Sequence, residues 1–396
     1  MRILTVGNMY PPHHQGGYEQ DWRAGVEALR RADHHVRVLT TDHRQPGVAV
    51  GEEPDVFRVL RWYWRDHAFP AMPVRERLRL GRHNQRLLRC HLSSLDPDLV
   101  SWWAMGGMSL GLVERVRRRA IPAVGVVYDD WQVYGPGVDA WQRMWRRVPS
   151  AAARFGELTG APTRVDLARA ADWLFCSDSV RQSAAGSRAV SPSEQLLAPG
   201  LDEVFLSRWQ TGDWRWRMLL AGRLDPRKGI ETAIEALTLL PHAVLRLIGT
   251  GDAAYRCQLL AMAERLGVAE RLELFPARAR EQLVEAYAWS DVVLFPVTWR
   301  EPFGLVPLEA MGIGRPVVAT GQGGSAEYLR DGDNCLLMAP GGAGALAACV
   351  ERLAESRDLR ERLCAGGFRT VPPYARSRWD AQLVGAHERR HRQRAD

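Results

Sequence analysis

The chain contains one lysine, Lys228, among its 53 Lys and Arg residues. It follows Arg223 by five positions and directly precedes Gly229. Lysine is a compact point charge with three rotatable donors, whereas arginine is a wide planar fork, so a crowded phosphate pocket can favour lysine. Two cations beside the free amides of a helix start would form a diphosphate site. The alternative is that one lysine survived by chance in an arginine-rich sequence.

Two glutamates, Glu301 and Glu309, lie eight positions apart. Between them, the run Pro302-Phe303-Gly304 predicts a loop that becomes a helix near Leu305. Carboxylates accept hydrogen bonds from sugar hydroxyls, and the first amides of a helix suit a phosphate. The pair therefore indicates a site for a phosphorylated sugar, with two solvated surface acids as the alternative.

Short glycine-containing or polar segments follow three other apolar runs. Gly16 and Gly17 come after the first run, where they would let backbone amides approach a ligand at a helix start. The Gly-x-Gly-x-x-Gly pattern of dinucleotide enzymes is missing there, which argues against NAD or FAD and leaves a flexible turn as the alternative. Gly249 and the pair Ala277-Arg278 follow two later runs.

The apolar runs before these candidate residues alternate with helical stretches. Such runs are typical of buried parallel strands in a doubly wound sheet, whose ligands bind outside the carboxyl ends of the strands. Because the pattern restarts in the second half, we predict an α/β fold of two Rossmann-like doubly wound parallel-sheet domains facing a central cleft. The predicted strands are 3–6, 36–39, 99–101, 123–127 and 173–176, then 218–221, 244–248, 272–275, 292–295 and 316–319.

The length also favours two domains. A chain of 396 residues is too long for one ordinary hydrophobic core. A polar, Trp-rich connector over 207–215 separates the two halves. We therefore expect a first domain over 1–207, a second over 208–374 and a C-terminal helix over 375–396.

Composition argues against several classes of protein. Met1 is not followed by an apolar signal core, and no run of about 18 uncharged apolar residues occurs, which favours a cytoplasmic protein. The six cysteines lack a Cys-x-x-Cys pair, so neither a disulfide scaffold nor a zinc site is indicated. The formal charge of +7 is accompanied by no nucleic-acid motif. The arginine-rich segment 74–92 predicts a solvated amphipathic helix, and a membrane-surface contact is the less favoured alternative.

The segment from Trp299 to Glu327 is the most specific part of the sequence. Its two glutamates are followed by Gly323-Gly324 and Glu327, and it is preceded by the run from Arg223 to Gly229. In this order and spacing, the motifs resemble the retaining GT-B glycosyltransferases of family four. The resemblance covers most of the chain, and it implies transfer of a sugar from a nucleotide diphosphate donor with retention of the anomeric configuration.

The resemblance also implies roles for individual residues. Arg223 and Lys228 would hold the diphosphate and Glu301 would hydrogen-bond the donor sugar, which makes these three the catalytic candidates. The amides of 303–305 would face sugar and phosphate, and Glu309 would grip the ribose. The C-terminal helix would cross back to the first domain. The donor-binding candidates are Gly16, Gly17, Gly249, Ala277, Arg278, Phe303, Gly304, Leu305 and Glu309, with Ala277 and Arg278 beside the nucleobase.

Two Asp-x-Asp strings, at 96–98 and 331–333, are of a type that holds a divalent ion with a nucleotide sugar in other transferase folds. Both are explained more simply as turns before strands. Because Arg223, Lys228 and helix amides can neutralise a departing diphosphate, we expect no metal and no cofactor.

The acceptor side departs from the family pattern. Where the family often has a His-Asp pair and an aromatic residue, this chain has Tyr128-Asp129-Asp130-Trp131. A neutral phenol with a pKa near 10 cannot do the work of a histidine at neutral pH, which indicates a specialised acceptor site. Asp129 and Asp130 would recognise a hydroxyl-rich or cationic acceptor, such as an aminocyclitol or amino sugar; alternatively, one carboxylate caps the next helix. Tryptophans concentrated in the first half could line this site or belong to the core.

The expected activity is transfer of a sugar to a hydroxyl of a small acceptor. Three alternatives stay open: a lipid-linked or cell-envelope acceptor at a membrane surface, a nucleotide-sugar epimerase of the same fold, and a catalytically silent binding protein. The last is disfavoured because Arg223, Lys228, Glu301 and Glu309 are all present. The sequence does not specify the nucleobase, the sugar or the acceptor.

Overall fold

The computed structural model describes residues 1–14, 16–45, 47–49, 51, 53–64, 69–70, 72–159, 161–186, 195–207 and 212–393. The chain divides into two units. The first comprises Met1–Ala198 and the residues from Trp379 onward, and the second comprises Pro199–Arg378.

The first unit is built on a seven-stranded parallel sheet. Its strands are β1 (Arg2–Val6), β2 (His35–Thr41), β3 (Val56–Leu60), β4 (Leu99–Trp102), β5 (Ala123–Val127), β6 (Asp172–Phe175) and β7 (Gln195–Leu196). They are arranged in the order β3-β2-β1-β4-β5-β6-β7. All five residues of β5 are buried, as expected for a strand with both faces covered. The order reverses between β1 and β4, where doubly wound sheets open a ligand site.

Helices cover this sheet. They are α1 (Gly17–Arg31), α2 (Val74–Leu95), α3 (Gly111–Arg118), α4 (Trp131–Val138), α5 (Ala140–Arg146), α6 (Pro149–Thr159), α7 (Asp178–Gly186) and, after the second unit, α14 (Arg376–Arg392). The last helix packs through side chains on one face, since Trp379, Leu383 and His387 are buried. No helix in the described part of the chain is long and apolar enough to cross a membrane.

The second unit repeats the architecture with six parallel strands. These are β8 (Arg217–Ala221), β9 (Val244–Ile248), β10 (Leu272–Phe275), β11 (Val292–Phe295), β12 (Val317–Ala319) and β13 (Leu336–Leu337), in the order β10-β9-β8-β11-β12-β13. The helices are α8 (Ile230–Leu239), α9 (Ala253–Arg265), α10 (Arg280–Trp289), α11 (Val306–Ile313), α12 (Ala343–Glu355) and α13 (Arg357–Thr370). The reversal of order lies between β8 and β11, so the loops after these two neighbouring strands meet at the ligand-binding edge.

The predicted α/β class and the two doubly wound sheets are confirmed. Each predicted strand is present to within one or two residues, while β3, β7 and β13 were not predicted. Four residues of the predicted connector, 208–211, lie outside the described residues.

The segment after Pro199 belongs to the second unit, although the expected boundary lay at 207–208. Its backbone explains this grouping. Leu201 pairs with Ala375 in a short parallel bridge, and a Cβ on Gly312 would lie 2.4 Å from the carbonyl oxygen of Phe205. The segment is therefore packed directly against α11.

Candidate active site

The loop after β8 is held in place by its own side chains. Asp225 accepts a hydrogen bond from the backbone N–H of Arg227 (3.0 Å) and so caps the short 3-10 turn Pro226–Lys228. Gly229 follows with φ of 69°, in the left-handed region that favours glycine. A Cβ there would lie 1.9 Å from the carbonyl oxygen of Pro296. The loop thus lies directly against the end of β11.

This approach brings Lys228 and Glu301 together. Lys228 Nζ lies 2.7 Å from Glu301 Oε2, and the indole N–H of Trp299 donates to the same oxygen at 2.7 Å. The two charged side chains are only 20% and 11% exposed. Removing one partner would leave the other charge partly buried without compensation, which is more costly than losing a surface pair. Two of the three predicted catalytic residues are therefore in direct contact.

Arg223 belongs to a second set of charges on the loop after β8. Its guanidinium is 3.4 Å from Asp225 Oδ2 and remains one-third exposed. Arg227 forms two hydrogen bonds with the same carboxylate, at 2.9 and 2.6 Å, and its guanidinium stacks 4.3 Å from the centre of the Trp299 ring. The hydrogen bond from Arg227 holds the pKa of Asp225 well below its usual range. Asp225 therefore stays ionised and holds two arginines at the loop.

The loop from Glu301 to Leu305 is fixed by close backbone packing. The N–H of Gly324 donates to the carbonyl oxygen of Glu301 at 2.7 Å. Gly304 has φ of 86°, and a Cβ there would lie 2.7 Å from the Phe295 ring. Phe303 is buried, and its ring centre lies 5.3 Å from that of Tyr328. The loop therefore presents its backbone at the start of α11, where amides are unpaired.

Glu309 lies in the first turn of α11 and is oriented from a neighbouring helix. The hydroxyl of Tyr287 donates to Glu309 Oε2 at 2.6 Å. Burial of Tyr287, reinforced by the Glu309 charge, raises the pKa of this phenol well above its usual value, so it remains a donor. Glu309 and Glu301 are thus each held by an aromatic side chain.

The remaining donor-side candidates lie after β9 and β10. A Cβ on Gly249 would lie 1.7 Å from the carbonyl oxygen of Gly222, so glycine is needed where these loops touch. Arg278 stands over the Phe275 ring at 5.4 Å and lines a small pocket of about 210 Å³. Ala277 is exposed next to it. The pocket is lined by Arg246, Ile248, Phe275, Arg278, Gln282, Glu285 and Ala286.

In the first unit, Gly16 and Gly17 begin α1. Gly16 is the N-cap residue, and its N–H donates to Glu19 Oε2 at 2.9 Å. The preceding Gln15 lies outside the described residues. The two glycines therefore form the turn from β1 into a helix start, as the sequence predicted.

Tyr128 follows β5 and is buried. The indole N–H of Trp379 donates to its hydroxyl at 3.1 Å, and its ring stacks on that of Tyr18 with centres 4.7 Å apart. The residue that replaces the expected histidine thus contacts α14.

The two aspartates that follow differ in environment. Asp129 accepts hydrogen bonds from the N–H of Trp131 (3.4 Å) and the hydroxyl of Tyr134 (3.2 Å), while Asp130 is exposed and makes no side-chain cap to α4. Burial raises the pKa of Asp129 to about 6. Trp131 is fully buried, edge-on to Trp173 at 5.5 Å. Asp129 is therefore the carboxylate that contacts the helix start, and Asp130 is the one open to solvent.

Comparisons with known proteins bear on the family and on the fold. A family model described as glycosyl transferases group 1 matches residues 208–369. The D-inositol 3-phosphate glycosyltransferase of Thermomonospora curvata is 31% identical over 205 residues, which cover 48% of this chain. The chain spans less than half the length of that curated relative, 46%.

Solved structures establish the fold of the whole chain. Sucrose-phosphate synthase from Thermosynechococcus elongatus matches with a TM-score of 0.72 and 20% identity over 98% of both chains. Anabaena HepE in complex with UDP-glucose matches with a TM-score of 0.71 and 19% identity, covering 98% of this chain and all of that one. The resemblance to GT-B glycosyltransferases that the sequence predicted is confirmed: the chain has the GT-B fold, and its residues 208–369 match the group 1 model.

Several residues of the candidate site in the second unit were not predicted. Trp299 contacts Glu301, Tyr287 contacts Glu309, and Arg227 stacks on Trp299. Arg227 is next to Lys228 and Trp299 is two positions before Glu301, so their places in the sequence were a usable signal. Tyr287 lies 22 positions before Glu309 and carries no local signal.

The two Asp-x-Asp strings act as turns. Asp98 pairs with Arg2 at 3.1 Å, and Asp331 accepts the N–H of Leu337 at 2.8 Å. Within the part of the chain that the structure describes, no three His, Cys, Asp or Glu side chains are grouped so as to hold a metal ion.

Proposed function

We propose that this protein transfers a sugar from a nucleoside diphosphate sugar to a hydroxyl of an acceptor, with retention of the anomeric configuration. The observation that carries the proposal is the contact between Lys228 and Glu301 at the switch point of the second sheet. In this arrangement a cation for the diphosphate and a carboxylate for sugar hydroxyls are adjacent, as a nucleotide sugar requires.

Each donor-side residue has a role in this proposal. Arg223 and Lys228 bind the diphosphate, and Glu301 accepts hydrogen bonds from the sugar. The amides of 303–305 face sugar and phosphate, and Glu309 binds the ribose. The pocket beside Phe275 and Arg278 takes the nucleobase.

During transfer, the bond between the anomeric carbon and the diphosphate oxygen breaks, and its electron pair leaves with the diphosphate. The acceptor oxygen forms the new bond at that carbon, and the proton of the acceptor hydroxyl passes to an oxygen of the departing diphosphate. Arg223 and Lys228 stabilise the charge on the leaving group, and holding the reactants together supplies most of the remaining acceleration. Glu301 orients the sugar rather than attacking it. These protein cations supply positive charge, and we propose that no metal or cofactor is needed.

We infer that the acceptor is a small hydroxyl compound, and that an amino group would meet Asp130. This aspartate is exposed, whereas Asp129 is engaged by Trp131 and Tyr134. Asp130→Asn should weaken an amino-bearing acceptor about tenfold relative to its neutral analogue, the size of one charge-assisted hydrogen bond. The measurement is the ratio of the KM values for the amino-bearing acceptor and its neutral analogue. If this ratio is the same in Asp130→Asn and in the unmodified protein, the proposed preference for an amino group is wrong.

Donor binding is tested first by thermal shift with UDP, GDP, ADP and TDP. UDP is the first choice because HepE was solved with UDP-glucose. A nucleotide at a hundredfold its dissociation constant should add about 2.7 kcal/mol of stability. The matching nucleotide sugar is then assayed with amino sugars, aminocyclitols and inositol phosphates, the last because of the relative from Thermomonospora curvata. NMR of the product shows whether the configuration is retained.

Lys228→Ala is the decisive variant. We expect turnover to fall roughly 10- to 1000-fold, because one preorganised charge donor to the leaving group is lost. Arg265→Ala, which removes an exposed cation on α9, is the matched control and should be unaffected. Near-normal turnover of Lys228→Ala would refute the diphosphate assignment.

A further inference from the structure

A second cavity, distinct from the donor-side residues, lies wholly within the first unit. It has a volume of about 390 Å³, within the range of roughly 300–1,000 Å³ that small-molecule sites occupy. Tyr63 after β3, Ser109 after β4 and Asp139 after α4 all line it. It is therefore at the carboxyl edge of the sheet, where ligands of doubly wound sheets bind. We call it the first-unit pocket.

The walls of the first-unit pocket are largely aromatic and aliphatic. Trp141 lines the pocket, and its indole N–H is already used, since it donates to the carbonyl oxygen of Pro162 at 3.1 Å. The other apolar lining residues are Tyr63, Phe69, Pro70, Met72, Leu80 and Val138. Such walls favour a ligand with an apolar ring or hydrocarbon chain over a fully hydroxylated ligand.

The charges that face the pocket are unbalanced. Asp139 is fully engaged, because its carboxylate accepts hydrogen bonds from the backbone N–H groups of Leu110 (2.7 Å), Trp141 (2.9 Å) and Gln142 (3.2 Å). Arg77 and Arg143 also line the pocket, and no ion pair with another described residue involves either of them. The pocket therefore offers two guanidinium groups to a ligand.

A third polar group points to a ligand independently. Tyr63 is only 8% exposed, yet its hydroxyl has no hydrogen-bond partner among the described residues. A buried hydroxyl without a partner is costly, so such groups are normally satisfied by something that binds. The hydroxyl is available to donate to an anionic oxygen of a bound ligand.

We propose that the first-unit pocket binds an apolar ring or chain that carries a phosphate or carboxylate group, and that this ligand is the acceptor. The guanidinium groups of Arg77 and Arg143 and the hydroxyl of Tyr63 hold the anion, while Trp141 and Phe69 cover the body. That this ligand is the acceptor rests on the proposed function. That the pocket binds an apolar ring or chain with a phosphate or carboxylate group does not.

Calorimetric titration tests the binding directly. The probe is 2-naphthyl phosphate, compared with 2-naphthol and with inorganic phosphate. We expect the first to bind at least about tenfold more tightly than either part, and Arg77→Gln or Arg143→Gln to weaken it about tenfold. Arg79→Gln on α2 and Arg146→Gln on α5, both exposed and outside the pocket, are the matched controls and should bind normally. If all four variants bind 2-naphthyl phosphate with the same affinity, the proposed binding site is wrong.

A blocking variant separates this proposal from the donor proposal. Gly81 lines the pocket from α2, and no heavy atom lies within 4 Å of a Cβ built on it, so Gly81→Leu projects into the cavity at a helical position. It should abolish binding of 2-naphthyl phosphate and sugar transfer to 6-hydroxy-2-naphthyl phosphate, which adds an acceptor hydroxyl to the same apolar ring. It should leave the thermal shift by nucleoside diphosphate intact, and Gly81→Ala should do little. Transfer that survives after probe binding is lost would show that the pocket does not hold the acceptor. If the unmodified protein shows no thermal shift with any nucleoside diphosphate, the donor assignment is refuted instead.

Discussion

At the scale of single residues, Trp299 determines how Glu301 is presented. Its N–H and Lys228 Nζ both contact Glu301 Oε2, and a diphosphate would draw Lys228 toward itself. Trp299 would then be the donor that still orients the carboxylate. We expect Trp299→Phe, which keeps an aromatic ring beside Arg227, to lower kcat about tenfold with a smaller change in donor KM.

The control for this variant is Trp214→Phe. Trp214 packs against Trp216 with ring centres 5.9 Å apart, and its indole N–H has no hydrogen-bond partner among the described residues. The substitution therefore removes ring area without removing a hydrogen bond. Steady-state kinetics in which both variants lose kcat equally would show that Trp299 contributes packing rather than orientation.

Asp129 makes stability depend on pH. Burial raises its pKa from 3.8 to about 6, so the native state binds more protons than the unfolded state between these values. Stability that protonated Asp129 provides below pH 4 is therefore lost as pH rises to about 6. The asparagine in Asp129→Asn cannot ionise, so this variant does not lose that stability as the pH rises. The free energy of unfolding of the variant minus that of the unmodified protein should therefore increase by roughly 1–2 kcal/mol from pH 4 to pH 7. Urea unfolding at both pH values measures this, and a constant difference would contradict the assignment.

At the scale of elements, the contact between the β8 and β11 loops depends on one glycine. Gly229 has φ of 69°, and a Cβ there would meet the carbonyl oxygen of Pro296 at 1.9 Å. Gly267 has nearly the same φ, 67°, but no atom lies within 4 Å of its Cβ. Both alanine variants incur left-handed strain of about 1–2 kcal/mol, but only Gly229→Ala must displace the Lys228 loop.

We therefore expect Gly229→Ala to lose most of the thermal shift with nucleoside diphosphate, and Gly267→Ala to keep it. The same shift in both variants would mean that the site tolerates movement of the loop.

Elements with a strong apolar pattern were predictable from the sequence, and weakly patterned ones were not. β5 is uninterrupted apolar sequence, whereas β3 carries Arg58 and is half-exposed at the sheet edge, and β7 and β13 have two residues each. The candidate residues after strands could be found because chain direction alone puts them at one edge of the sheet. The contact of Tyr287 with Glu309 could not, because it depends on how α10 packs against α11. The first-unit pocket escaped prediction for the same reason, since its walls come from separate loops and helices.

At the scale of the whole molecule, the two units differ in how the chain builds them. The second is continuous, from Pro199 to Arg378, whereas the first needs the residues from Trp379 onward. Within the first unit, Trp379 donates to Tyr128, and His387 Nε2 lies 2.9 Å from Ser101 Oγ. Leu383 is fully buried, and its side chain would be 2.8 Å from a Cβ on Gly25. The C-terminal helix is thus part of the first unit's core.

Separate expression of the two units tests this difference. Residues 199–378 should fold alone and show the thermal shift with nucleoside diphosphate, because their core and donor residues are complete. Residues 1–198 should be destabilised by several kcal/mol, since burial of each large apolar side chain contributes about 1.5–3 kcal/mol. Adding a peptide of residues 376–393 should restore cooperative urea unfolding, while a peptide with Trp379 and Leu383 replaced by alanine should not. If residues 1–198 unfold as cooperatively without any peptide as with it, the helix is an accessory to the first unit and not part of its core.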